Sequence, residues 1–303
     1  MLMKKIPHSD LSVSSLCLGT MTFGTPVAEP EAIFLTQAAI DRGINFIDTA
    51  NMYEGYTRFL GSAGGVAEEI LGKALKGRRS QVVLATKVGM KIGPMDDDQG
   101  LSRIHILREI DRSLARLKTD QVDLYYLHKP DVNIPMEESV QTLEDLRIAG
   151  KIREWAVSNF STEQLSALLA LCDQGGWKRP VAIQPAYSYL KRDIEKDLLP
   201  LCEREEIAVI PYQVLQGGLL TGKYKRNAEI PPGSRMIEKP EWTMALSEVV
   251  LEQLEKCEKE AEKLGRSMMQ HALKSLLDQK SVVSLIVGVK TLPQLEALIS
   301  AVD

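Results

Sequence analysis

The sequence predicts a single (β/α)8 (TIM) barrel of α/β class over residues 1–303, on three observations. Eight short apolar runs recur along the chain, amphipathic helical stretches separate them, and no Pro/Gly/Ser-rich linker divides the 303 residues. Strands covered on both faces read as continuous apolar runs, and regular strand–helix alternation builds a parallel sheet. Eight strands is also the number that closes, and about 250 residues plus insertions is the usual length of such a barrel. An open doubly wound sheet is the alternative that the same alternation allows.

The expected strands are 15–18, 44–48, 82–87, 122–128, 154–158, 181–184, 208–211 and 284–288, all short and mostly rich in Val, Ile and Leu. Between them, 31–42 places Ile33, Leu35, Ala38, Ala39 and Ile40 on one stripe, and 104–117 does so with Ile106, Leu107, Ile110, Leu114 and Leu117. The stretch 136–149 repeats the spacing with Val140, Leu143, Leu146 and Ile148, and 162–171 with Leu165, Leu168 and Leu169. Separations of three and four residues mark a helix that buries one face. Ser102 and the pair Ser161–Thr162, followed by Glu163, signal helix starts; Gly43, Gly150 and Gly175–Gly176 signal stops. Two additions interrupt the rhythm. Residues 3–14 are expected to form a hairpin around Ser9 and Asp10, and 225–264, between strands seven and eight, opens with Pro231, Pro232 and Pro240 and becomes a charged extra helix from about Ser247.

Composition narrows the function classes. The formal net charge is -4, with 37 basic against 41 acidic residues and no clustered basic excess, so nothing suggests a nucleic-acid surface. No apolar stretch approaches the ~20 residues that span a bilayer, and Met1 to His8 carries no signal-peptide core. The four cysteines, Cys17, Cys172, Cys202 and Cys257, lie far apart without metal-ligand spacing. They are expected to be reduced thiols in a cytoplasmic protein. Oligomeric state has no signature here.

In barrels of this kind function gathers at the carboxyl ends of the strands. Strand two ends Ile-Asp48-Thr-Ala-Asn-Met-Tyr53, strand three Ala-Thr-Lys87, and strand four Tyr-Tyr-Leu-His128. Strand five ends Val-Ser158-Asn159, strand six Ile-Gln184, and strand seven Ile-Pro-Tyr212. Singly, Asp48 reads as a turn cap, Lys87 as a surface charge, and His128 as a structural histidine. Jointly they do not, because strands two, three and four are neighbours and bring the four groups together. A buried Lys and Asp are costly unless paired. A phenol beside an ammonium has its anion stabilised, which pulls its pKa below the free value of about 10. Tyr53 is therefore the expected general acid. Lys87 would tune it, Asp48 would hold Lys87 charged, and His128 would hydrogen-bond a substrate carbonyl beside a hydride donor.

These residues resemble a known family. Gly43-Ile-Asn-Phe-Ile-Asp48-Thr-Ala-Asn-Met-Tyr53 resembles the signature of the aldo-keto reductases around its aspartate and tyrosine. Thr86-Lys87, Leu127-His128-Lys-Pro-Asp131, Gly150-Lys-Ile-Arg153, Val157-Ser158-Asn159-Phe160 and Leu219-Leu-Thr-Gly-Lys223-Tyr224 are similar to its later motifs, in order. The resemblance covers roughly residues 14–294. It implies metal-free, NAD(P)H-dependent reduction of a small aldehyde or ketone. It also implies a cofactor site. Gly19, Thr20 and Met21 match the nicotinamide-ribose edge. Asp48 closes the reacting end. Ser158, Asn159 and Gln184 match the groups that hold the carboxamide, which both donates and accepts. Tyr212 matches the aromatic stacked on nicotinamide. Gln213, Leu215 and Gly217, within the stretch to Leu219, match the pyrophosphate loop, where Gly217 and Gly218 let backbone approach closely. Lys223 and Arg235 match phosphate partners, and Gly288, Lys290 and Gln294 the adenosine-phosphate segment. A cation at Lys290 favours NADPH over NADH. No Gly-x-Gly-x-x-Gly stretch is present, so a Rossmann site is not expected.

Two departures stand out. The usual Ser-Pro-Leu after Tyr212 is Gln213-Val214-Leu215, and the usual Glu-Asn is Ala297-Leu298, which predicts a weaker hold on the cofactor. The loop 56–66 carries Gly61, Gly64 and Gly65 and is expected to be mobile, either overhanging the substrate pocket or an inert insertion. Met21, Phe23 and Met90 are candidate pocket walls. Two other functions fit the same sequence: an NADP(H)-binding sensor resembling potassium-channel β subunits, with little turnover, and a Schiff-base aldolase on Lys87. The latter needs a neutral lysine.

Overall fold

The computed structural model describes residues 1–303. Its first two strands, Met3–Lys5 (β1) and Ser12–Ser14 (β2), pair antiparallel as the expected hairpin. The barrel then alternates strand and helix: Leu16–Gly19 (β3), Glu29–Asp41 (α1), Phe46–Asp48 (β4), Val66–Ala74 (α2), Val83–Val88 (β5), Arg103–Leu117 (α3), Val122–Leu127 (β6), Met136–Ile148 (α4) and Ile152–Ser158 (β7). It continues with Thr162–Gly175 (α5), Ala182–Gln184 (β8), Leu198–Arg204 (α6), Ala208–Val209 (β9), Arg235–Glu238 (α7), Glu248–Lys263 (α8), Met268–Leu277 (α9), Leu285–Val287 (β10) and Leu292–Val302 (α10). The charged helix expected from about Ser247 is α8, with Ser247 as its N-cap.

All neighbouring barrel strands run parallel in the order β10, β3, β4, β5, β6, β7, β8, β9. The last seam closes through a bridge between Val209 and Val282 and a hydrogen bond from Ile286 N to Pro211 O at 3.0 Å. The open-sheet alternative is thereby removed. β9 is shorter than the expected 208–211 because two prolines lack an N–H: Pro211 on the side of β10, and Pro185 on the side of β8, where Ile210 N still donates to Ile183 O at 2.9 Å. Pairing resumes at Tyr212, which bridges Ala186.

Side chains alternate along each strand. Leu16, Leu18, Ile47, Leu84, Tyr125, Leu127, Trp155, Val157 and Ile183 point out and join the helices in the main core. Cys17, Phe46, Val83, Ala85, Leu124, Tyr126, Ala156, Ala182 and Ala208 point in, and the hairpin residues Ile6, Leu11 and Val13 pack beneath them. The hairpin thus closes the amino-terminal end of the barrel. Two residues further along the inward set come Asp48, Lys87, His128, Ser158 and Gln184. The same period that fills the interior with apolar groups delivers polar ones to its mouth.

The helices begin and end where local chemistry dictates. Ser102 accepts from His105 N at the start of α3. Ser161 and Gln164 form a reciprocal capping box on α5, with Glu163 on the serine hydroxyl. Gly72 lies where α2 crosses α3: a Cβ there would stand 2.2 Å from Arg116 O.

Candidate active site

The four residues expected to converge do so. Lys87 leaves β5 inward and is fully buried. Its Nζ lies 2.5 Å from Asp48 Oδ2, donates to Thr49 O at 2.8 Å, and stands 3.2 Å from Tyr53 Oη. Asp48 ends β4, and its other oxygen accepts from Gln184 Nε2 at 2.9 Å, across the barrel. Tyr53 arrives on the loop after β4. That loop is fixed by Asn51, whose N–H donates to Lys87 O at 3.2 Å and whose Nδ2 donates to the buried Glu109 carboxylate at 3.3 Å. His128 sits edge-on to Tyr53, ring centroids 6.1 Å apart. Its Nδ1 is buried without a protein partner.

The electrostatics divide these groups. Burial opposes the Lys87 charge, but Asp48 and Tyr53 outweigh it and raise the lysine pKa, so the ammonium persists. That disfavours the neutral amine a Schiff-base enzyme needs. Burial, then Lys87, Arg58 and Lys129, hold His128 well below the usual histidine range, leaving a neutral imidazole. Tyr53 departs from expectation. Burial raises its pKa, Lys87 pulls it down, Asp48 pushes it up again, and the outcome is above the ordinary phenol value. The ammonium moderates the cost of the phenolate without carrying it toward neutral pH. A phenol in this setting stays protonated and can hand its proton only to a strong base such as an alkoxide.

The expected cofactor residues line the same mouth. Gly19 ends β3 beside β10, and a Cβ there would stand 2.7 Å from Ile286 Cγ2; a Cβ at Gly288 would come within 3.9 Å of Gly19 O. Together they leave a bare backbone floor. Thr20 is buried, with its hydroxyl on Asp48 O at 3.0 Å, and Met21 is half-exposed next to it. Ser158 Oγ donates to Gln184 O at 2.8 Å, Asn159 Nδ2 to His128 O at 2.9 Å, and Tyr212 Oη to Asn159 Oδ1 at 2.8 Å. Gln213 and Gln216 adopt left-handed backbone, as do Gly217 and Gly218, so the loop after Tyr212 winds tightly with Leu215 half-buried inside it. Lys223, Arg235 and Lys290 gather beyond it, and Gln294 Oε1 accepts from Lys290 N at 2.8 Å. A row of amide and hydroxyl groups, then small residues, then cations fits a carboxamide, a pyrophosphate and a further phosphate in that order.

The sequence pattern described as Aldo/keto reductase family matches residues 15–303. The chain belongs to the aldo/keto reductase family. With that membership it is an NAD(P)H-dependent oxidoreductase acting on carbonyl or alcohol groups. Among similar proteins, a probable voltage-gated potassium channel subunit beta of Arabidopsis thaliana is 33% identical over 99% of this chain and 90% of its own length. Aldo-keto reductase YhdN of Bacillus subtilis is 36% identical, over 92% of this chain and 80% of its own. The holo form of aldo-keto reductase AKR11C1 from Bacillus halodurans superposes with a TM-score of 0.77 at 26% identity, covering 100% of this chain and 91% of its own. No helix is long and apolar enough to cross a membrane.

Some expectations about the rim are corrected in this family member. Phe23 is fully buried and walls no pocket, whereas Met21 and Met90 remain partly exposed. The glycines of 56–66 serve close approach, since a Cβ at Gly64 would lie 2.3 Å from Asn51 O. Arg58 staples the loop to Met52 O at 2.9 Å and to Lys91 O. Tyr56 stacks edge-on with Trp242, centroids 5.5 Å apart, and accepts from Arg235 Nε at 3.2 Å. Sequence reasoning missed Trp242 and Glu238, which join Tyr56 of the 56–66 loop across the mouth. Only the aromatic and charged character of 235–242 hinted at them. An open polar groove at the other end of the barrel holds Arg79 and Arg153, both committed to Asp123 at 2.8 Å.

Proposed function

We propose that the whole chain, residues 1–303, acts as one NADPH-dependent reductase of small aldehydes or ketones, with Tyr53 as general acid. The observation that carries this reading is Tyr53 Oη at 3.2 Å from a lysine that is itself locked to Asp48. When bound, the dinucleotide would supply a hydride to the carbonyl carbon. Tyr53 gives its proton to the carbonyl oxygen as negative charge develops there, and Lys87 stabilises the phenolate left behind. Neutral His128 donates a hydrogen bond to the same oxygen and fixes its approach, which is a positioning contribution. Ser158, Asn159 and Gln184 would hold the carboxamide, and Tyr212 would pack on the ring. Gly19, Thr20, Met21 and Asp48 would edge it. Gln213, Leu215, Gly217, Lys223 and Arg235 would run along the phosphates, and Gly288, Lys290 and Gln294 would take the adenosine end. The four free thiols suit a reducing cytoplasm.

Tyr53→Phe should lower kcat by about 10²–10⁴ on a reactive aldehyde while leaving NADPH affinity within a factor of two. A variant that kept most of its rate would remove Tyr53 from the chemistry. The potassium-channel β-subunit relatives favour a second reading, a redox-sensing barrel. Tight NADPH binding with no turnover on a broad carbonyl panel would select it.

A further inference from the structure

The cations beyond the tight loop are not free to meet a ligand on equal terms. After β9 the chain folds back across the mouth, and α7 brings Arg235 and Glu238 against Lys290, which follows β10. Lys223 stands close by: a Cβ on Gly218 would touch its Nζ at 3.2 Å. Lys290 Nζ forms an ion pair with Glu238 and donates to Gly233 O at 3.0 Å. Lys239 has its own partner in Glu241 at 3.5 Å. Lys223 and Arg235 have no carboxylate within ion-pair distance, so the cluster carries two more cations than anions. The excess is felt locally: burial, then Lys290 and Arg235, depress the Lys223 pKa, and Glu238 offsets this only in part. Tyr56 occupies the middle, its ring 5.9 Å from Arg235 and 5.7 Å from Lys290.

We infer that Glu238 sets the choice between the two nicotinamide dinucleotides: it occupies the seat of the 2′-phosphate on Lys290 and must surrender that seat when the phosphate arrives. The inference rests on the cofactor reading above. A phosphate dianion matches the cationic excess of the cluster, yet it cannot share Lys290 with a carboxylate without like-charge repulsion. Glu238 therefore subtracts from the affinity for the phosphorylated dinucleotide. A cofactor with a bare 2′-hydroxyl has no such conflict, because a hydroxyl can donate to the carboxylate that is already there. Glu238 lies in a four-residue helix with a part-exposed side chain, so altering it leaves the barrel intact.

The test is to titrate the wild-type chain and Glu238→Gln with NADPH and with NADH by fluorescence quenching, at low and at high salt. Glu238→Gln should tighten NADPH about tenfold at low salt, less at high salt as screening weakens the repulsion, and change NADH by less than twofold. Glu238→Asp, which keeps the charge, should retain the wild-type ratio. In a Lys290→Met background Glu238→Gln should have no effect on NADPH. Weaker NADPH binding by Glu238→Gln, or equal change for both dinucleotides, would overturn the assignment. If the wild-type chain bound neither dinucleotide, the cofactor reading itself would fall, and this inference with it.

Discussion

Replacing Asp48 by asparagine isolates the interaction that holds the site together. The pair is dry: the Lys87 side chain is fully buried and that of Asp48 is 3% exposed. Removing one charge of a buried pair costs about 3–5 kcal/mol, because the survivor stays desolvated without compensation. Thr49 O still accepts from Nζ, which argues for the lower end. With a urea m-value of about 3 kcal/mol/M for a chain this size, the unfolding midpoint at pH 7 should fall by about 1 M. The pH dependence carries a sharper signature. In the wild type the Lys87 pKa lies above its unfolded value, so its contribution is complete below 10.5 and is lost only as pH rises through the folded value. In Asp48→Asn only Tyr53 is left to oppose burial, and the folded pKa should drop below 10.5. The unfolded chain then binds more protons in that window, and stability rises with pH. Urea unfolding at pH 7, 8, 9 and 10 measures both effects. A midpoint loss below about 0.3 M, or a slope that stays flat or negative up to pH 10, would show that Lys87 is not a desolvated cation held by Asp48.

Two further outcomes follow from single features. His128 titrates well below its usual value, so the unfolded chain takes up a proton near pH 6.5 that the folded chain refuses. Stability should rise between pH 5 and 7, and urea unfolding of His128→Gln should lose that part of the slope; an unchanged slope would place the histidine in solvent. Gly72→Ala sets two effects against each other, a helix-propensity gain of about 1 kcal/mol and overpacking of about 1–3 kcal/mol. With Arg116 O only 2.2 Å from the added carbon, thermal unfolding should show net destabilisation, and a stabilised variant would mean the α2–α3 crossing is looser than described.

Much of this architecture could be read before any coordinates. Val83 to Ala85 is apolar at every position because one face meets helices and the other the barrel interior, and such runs announce themselves. Asp48, Lys87 and His128 were legible for a related reason: a polar group that ends an apolar run in strand after strand has no core to join, and barrel topology decides where the ends meet. What could not be read depends on distant chain coming together. The Tyr53 pKa turns on how thoroughly the loop after β4 is packed, which no local pattern encodes. Phe23 and Met21, two residues apart, face different environments. Glu238 looked like one charge among many in a Pro-rich connection. It acquires meaning only when α7 folds against Lys290, 52 residues onward.

The N-terminal hairpin has a consequence for how this molecule can change. By stoppering one end of the barrel with Ile6, Leu11 and Val13, it makes the interior a cup rather than a pipe. Robustness is assigned to the base and chemistry to the brim. Substitutions that harden the base can accumulate without disturbing what the brim binds, so the same vessel can be refitted for new cargo by rewriting its rim.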